Sequence, residues 1–171
     1  GLYGINNINH FLQESNTGKA IWRGIQRYKV GDPILFNDAS DKFFTRTEEQ
    51  LPVIHNNMTG HIVDFLLLNE GKATEGIQFD IEIDRPLIDM DMKDMDFTIV
   101  GTAANGNSII RFVVNKNKTT DEDDEGPSKA IVPFQIAYAV SIHKAQGLEY
   151  DHVKIIITDE IDELITHSIF Y

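Results

Sequence analysis

Apolar residues of the first stretch, "GINNINHFLQESN", fall at Ile5, Ile8 and Leu12 with Phe11 beside them. Spacings of three, four and seven put these on one side of a helix, so the pattern predicts an amphipathic helix that Gly18 stops. The period then changes from helical to alternating. "AIWRGIQRYKVGDPILFND" reads as strand around a Gly31-Asp32-Pro33 turn, and "LPVIHNNMTGHIVDFLLL" reads as two strands about "NNMTG". In "MDFTIVGTAANGNSIIRFVVNK" a strand stands on each side of Asn105-Gly106-Asn107, and Asn-Gly is a strong hairpin signal. Residues 21 to about 118 are therefore expected to form a small antiparallel barrel or curled sheet of short strands.

Beyond the run "DEDDE" at 121–125 the pattern shifts again. In "VPFQIAYAV" the bulky Val132, Phe134, Ile136, Tyr138 and Val140 alternate with mostly smaller residues. "HVKIIIT" is nearly continuous in apolar residues, as in a strand covered on both faces. About eleven residues lie between these two segments, enough for a short crossover between parallel neighbours. The expected fold is α/β with a β-rich insertion: a parallel-sheet domain interrupted by a small antiparallel β-barrel. Residues 1–20 hold its first helix, 21–118 the barrel, 119–130 an acidic linker, and 131–171 the resumed parallel sheet.

Composition narrows the class. With 171 residues, 42% hydrophobic and 25% charged, the chain is ordinary for a globular protein with a real core. No run of 18 apolar residues and no basic-apolar leader occurs, so no membrane partner is expected. The absence of cysteine excludes disulfides and thiolate metal sites and fits a cytoplasmic setting. The chain opens on Gly1 rather than Met and closes on the apolar "HSIFY", which suggests a stretch of something longer. Its net charge of −12 is concentrated: residues 80–96 carry seven acids against Arg85 and Lys93, and "DEDDE" adds five more acids. Such runs read as solvated loops; a DNA-mimicking surface is the functional alternative.

The segment "AYAVSIHKAQGLEYDHV" carries the candidate chemistry. Ser141 suits the N-cap of a short helix through Gln146, with Gly147 beyond its C-terminus. Ser141, His143 and Lys144 together offer hydroxyl, imidazole and ammonium groups to a phosphate, a grip on nucleic-acid backbone that reads no sequence. Glu149 is an acceptor suited to a ribose hydroxyl. The bland alternative is that Ser141 and Gly147 merely cap and His143 and Lys144 merely face solvent. Other constellations are weaker. His55 and His61 flank a turn without an H-E-x-x-H pattern, so no metal site is expected. Ser141, His143 and Asp151 lack a G-x-S-x-G elbow for a hydrolase triad. Trp22 and Phe43-Phe44 could stack on bases, but packing in the core or a loop is the expected fate.

"YAVSIHKAQGLEYDHVKIII" resembles motif V of superfamily-one helicases of the UvrD/RecD-like type, and "HSIFY" resembles the start of their motif VI. "GINNINHFLQ" is similar to the segment that precedes the accessory insertion in RecD-like enzymes. "YKVGDPILFND" and "VIHNNMTGHIV" resemble landmarks of that inserted β-barrel. The resemblance implies the second of two RecA-like motor domains that close around ATP and Mg²⁺ and move along single-stranded DNA. Its partner would be the N-terminal RecA-like motor domain of the same chain. By position, Ser141, His143 and Lys144 would contact the DNA backbone. Gln146 and Gly147 would couple that contact to the nucleotide cleft, and Glu149 would accept from the ATP ribose. The phosphate-binding G-x-x-x-x-G-K-[ST] loop is missing: at Gly18-Lys19, Gln13 replaces the first glycine and Ala20 the hydroxyl residue. The motif VI arginine would lie past Tyr171. The resemblance therefore implies weak DNA binding and no tightly bound nucleotide or ATP hydrolysis by this stretch alone. A β-barrel interaction module and an acidic DNA-mimic regulator are the alternatives.

Overall fold

The computed structural model describes residues 4–23, 26–37, 53–72, 75–87, 96–115, 117–118, 128–129 and 132–155. Its elements in chain order begin with helix α1 (Ile5–Gln13) and the strands β1 (Ala20–Arg23), β2 (Gln26–Lys29) and β3 (Pro33–Phe36). Strands β4 (Thr59–Leu68), β5 (Gly76–Ile83), β6 (Thr98–Thr102) and β7 (Ser108–Asn115) follow. The short β8 (Asn117–Lys118), β9 (Ser128–Lys129) and β10 (Phe134–Ile136) precede helix α2 (Ile142–Ala145).

Six strands form one antiparallel sheet in the order β10-β3-β4-β5-β7-β6, and β1 pairs with β2 in a separate hairpin. Period-two alternation builds the core: Ile77, Phe79, Ile81 and Ile83 of β5 and Ile110, Phe112 and Val114 of β7 all turn inward. In β4 a register shift between Ile62 and Asp64 lets both Ile62 and Phe65 face inward. The centre is aromatic. Phe134 packs edge-on against Phe79 (ring centroids 5.2 Å apart) and Tyr28 (5.8 Å), which bring β10, β5 and β2 together. Asn105-Gly106-Asn107 turns the β6–β7 hairpin, with Gly106 at φ +90° and the Asn105 side chain accepting from the Asn107 N–H.

Several expectations are corrected. The sheet has two edges, β10 and β6, so it is not a closed barrel. The expected RecA-like parallel sheet is absent among the described residues. Phe134 pairs antiparallel with Phe36 and Ile136 with Ile34, so the segment meant for a motor strand is the edge strand of the same sheet. The Ala137 N–H extends that ladder to the Pro33 carbonyl at 2.8 Å. Residues 152–155 form no strand, and Val153 and Ile155 are exposed. The physical reason is that alternation from 132 to 140 fits an antiparallel edge strand equally well, and Pro133 sits comfortably at an edge. Only one strand, β4, flanks "NNMTG", because 53–58 bends and turns instead. The acidic run beginning at 80 is no loop at its start, since Asp80 and Glu82 lie on the central strand β5. Residues 121–125 and the "HSIFY" segment lie outside the described residues, as do Phe43 and Phe44.

Helix α1 forms where its period predicted, but its buried line is offset from the apolar one. Its buried residues are Asn9 and Gln13, while Ile5, Phe11 and Leu12 are exposed. It ends at Gln13, where the Lys29 ammonium donates to the carbonyls of Gln13 (3.0 Å) and Asn16 (2.5 Å). Gly18 therefore does not stop the helix. A Cβ there would lie 2.1 Å from the Val30 carbonyl oxygen, so glycine is needed for close approach to the end of β2.

Candidate nucleic-acid interface

The polar face of α1 explains how the two ends of the sheet unit meet. Asn9 Nδ2 donates to the Ala139 carbonyl at 2.9 Å, and the Ala139 N–H donates to Asn9 Oδ1 at 2.8 Å. One amide side chain thereby pairs with the backbone 130 residues away as a strand would. Beside it lies Asp32, fully buried just after Gly31 (φ +87°). Its Oδ2 accepts from Gln13 Nε2 (2.5 Å) and the Lys29 N–H (2.7 Å), and its Oδ1 from Asn16 Nδ2 (2.8 Å) and the Tyr138 hydroxyl (2.9 Å). Burial, then the bond to Asp32, pushes the Tyr138 phenol up to about 12. This hub joins the entering helix, the turn before β3 and the departing segment at one place.

The chain leaves that hub directly into the predicted turn. Ser141 is the N-cap of α2, and its hydroxyl oxygen accepts from the Lys144 N–H at 3.4 Å. Gly147 takes φ +79° beyond the helix. His143, Gln146, Gly147 and Glu149 are exposed, while Ser141 and Lys144 are half-buried. Lys144, expected to be exposed, is drawn back: its ammonium donates to Gln135 Oε1 on β10 at 2.7 Å. Ser141, His143 and Lys144 thus share one short turn beside the β10 edge, with Lys144 partly committed to the sheet.

Gln146, Gly147 and Glu149 follow on the same exposed stretch, but no described group converges on them to cradle a triphosphate. Among the described residues no group of three His, Asp or Glu side chains converges to hold a metal ion. These residues do not fit an ATP–Mg²⁺ site by themselves.

One feature lay beyond the reach of the sequence, and the exposure of a second was weighed there and set aside. Asp32 was visible only as part of a turn, because its hydrogen-bond partners range up to Tyr138, 106 residues away. Trp22, expected in packing, is 61% exposed. The Arg27 guanidinium lies over its ring, 5.4 Å from the centroid.

Compared with family models, curated proteins and solved structures, the chain matches none. No helix among the described residues is long and apolar enough to cross a membrane.

Proposed function

We propose that this chain is the accessory β domain, with its exit turn, of an ATP-driven single-stranded DNA helicase or translocase. Antiparallel pairing of β10 removes the motor-sheet argument for this reading. What carries it instead is the junction at Asn9 and Ala139, which joins the entry and exit of the sheet unit. An inserted domain must enter and leave at neighbouring points, and this one delivers Ser141–Glu149 just past its exit. Motif V resemblance lies on that exposed turn. In this reading His143 and the Ser141 hydroxyl contact phosphates, and Lys144 joins them by exchanging Gln135 for a phosphate oxygen. Gln146, Gly147 and Glu149 face a nucleotide whose phosphates and Mg²⁺ are held by the rest of the parent protein, and this chain alone does not hydrolyse ATP. The acidic-mimic alternative loses support on β5. Asp80 is held by both Arg111 nitrogens at 2.7 Å, and Glu82 by Asn105, Asn107 and His61, so neither is a free phosphate-like charge.

The test is binding of a labelled single-stranded oligonucleotide at low salt. With a net charge of −12 opposing it, the expected dissociation constant is near ~10⁻⁴ M, with a shallow salt slope of roughly one to three released counterions. His143→Ala with Lys144→Ala should remove most of this binding, with a cooperative thermal transition kept and only the Lys144–Gln135 bond, about 1 kcal/mol, lost from stability. Undiminished binding by the double variant would remove the turn from the interface.

A further inference from the structure

Exposure of a single aromatic residue is ordinary for a protein surface, so Trp22 needs a second observation before it means anything. That observation is how the ring is held. Arg27, its cross-strand partner on β2, covers the indole and is itself only 16% exposed. The guanidinium is anchored in turn by α1, donating from Nε to Gln13 Oε1 at 3.3 Å and from a terminal nitrogen to the Glu14 carboxylate. The indole therefore rests on a backing fixed to the helix instead of swinging in solvent.

The charge around it also suits an anionic ligand. Residues 17–31 contain Lys19, Arg23, Arg27 and Lys29 and no acid. Even with the acids that pair or pack there (Glu14, Asp32 and Asp64), four cations face three carboxylates. In a chain of net charge −12, this hairpin is one of the stretches where an anionic ligand meets no net repulsion.

We infer that the Trp22 indole, backed by Arg27, is a stacking platform for one base of a single-stranded nucleic acid. A planar base adds to a pre-ordered ring at little entropic cost, and stacking tolerates any base because every base has a π-face. The platform lies on the β1–β2 hairpin, apart from the Ser141–Lys144 turn. It gives the strand a second hold that reads the base instead of the phosphate. This deepens the proposed function and rests on the same ligand class, but on different residues.

Trp22 is the only tryptophan of the chain, so intrinsic fluorescence reports on this ring alone. The parent chain is titrated with oligothymidylate, oligouridylate and an abasic oligomer of equal length. Anisotropy of the labelled oligomers is followed in parallel for the parent, Trp22→Ala, and His143→Ala with Lys144→Ala. Expected results are quenching by thymidylate or uridylate but not by the abasic strand, and a dissociation constant raised roughly fivefold or more by Trp22→Ala. Whether thymidylate or uridylate quenches at lower concentration tells DNA from RNA as the better ligand. Equal quenching by the abasic strand overturns stacking. Binding that depends on His143 and Lys144 but leaves Trp22 unquenched overturns the platform and spares the turn. Quenching unaffected by the His143 and Lys144 changes supports the platform and removes the turn. No binding of any oligomer at low salt overturns both.

Discussion

Four donors converge on Asp32, from α1, the segment after it, β2 and the stretch that follows β10. Replacing it with alanine leaves the Gln13 and Asn16 amides, the Lys29 N–H and the Tyr138 hydroxyl without their acceptor in a buried site. Loss of the charge-assisted bonds should cost roughly 3 kcal/mol or more, a fall in Tm of about 6–12 °C for a chain of this size. Tyr138→Phe should cost about 1–2 kcal/mol, and the double variant less than the sum, because the two groups share one bond. Alkali provides a second check. The Tyr138 phenol titrates from an ordinary 10.0 up to about 12 in the folded chain, so its contribution is complete below pH 10. Unfolded tyrosine ionises first, and stability is lost as pH rises toward 12. Tyr28, raised to about 12 by burial, adds to the same limb. Tyr138→Phe should flatten the fall of Tm with pH in that range. The sequence displayed Asp32 as a turn residue in "VGDP", which is a local property. Its hub role depends on residues far away along the chain, so no window could contain it.

Local chemistry and long-range pairing divide the elements in the same way. The β6–β7 hairpin was legible because a left-handed Gly106 and an Asn105 side chain that caps its own turn are written within five residues. The pairing of 134–136 was not, since alternation specifies which side chains face inward and says nothing about strand direction. For α1 the period gave the helix but not which flank of the apolar line is buried deepest. Amides at Asn9 and Gln13 outcompete Ile5 and Leu12 for the interior by completing backbone and carboxylate partners there. Glu82 makes an element-scale prediction. Bonds from Asn105, then Asn107, and the nearby His61 hold its carboxyl below the ordinary value of 4.5. Its contribution is therefore complete above that pH and lost as pH falls through the depressed value. Acid should loosen the hairpin, read as faster exchange of the Ala103 and Gly106 amides, and Glu82→Gln should blunt that acid limb.

At the scale of the whole molecule, many of the exposed large apolar side chains lie in the entering and departing segments. Ile5, Phe11 and Leu12 on α1 and Ile142, Tyr150, Val153 and Ile155 after the hub are all exposed. The candidate chemistry of Ser141, His143 and Lys144 was legible in sequence because the motif is contiguous. Its placement outside the sheet, with Lys144 tied to Gln135, was not. Asn9→Ala should leave the Ala139 N–H unpaired at a cost of about 1–2 kcal/mol. Hydrogen exchange at Ala139 should accelerate while the Phe79 and Phe112 amides keep their protection, since the central strands do not pass through Asn9.

The Asn9–Ala139 pairing also has a mechanical meaning. Tension applied between the segments before α1 and after Ala139 reaches the amide pair and the Lys144–Gln135 bond before it reaches any strand ladder of the sheet. The 129 residues between these two positions hang beside the load path as a closed loop, like a pendant on a chain. Pulled from beyond Gly147, the chain also loads β10 through the Lys144–Gln135 bond, so the amide pair shares the pull with that tie. If both part, the Asp32 bonds to Gln13 and Tyr138 are next in line, and only after them the ladder between β10 and β3. A machine that draws on these two ends therefore meets three side-chain hydrogen bonds first, two on one asparagine and one between Lys144 and Gln135, before any strand ladder is stretched.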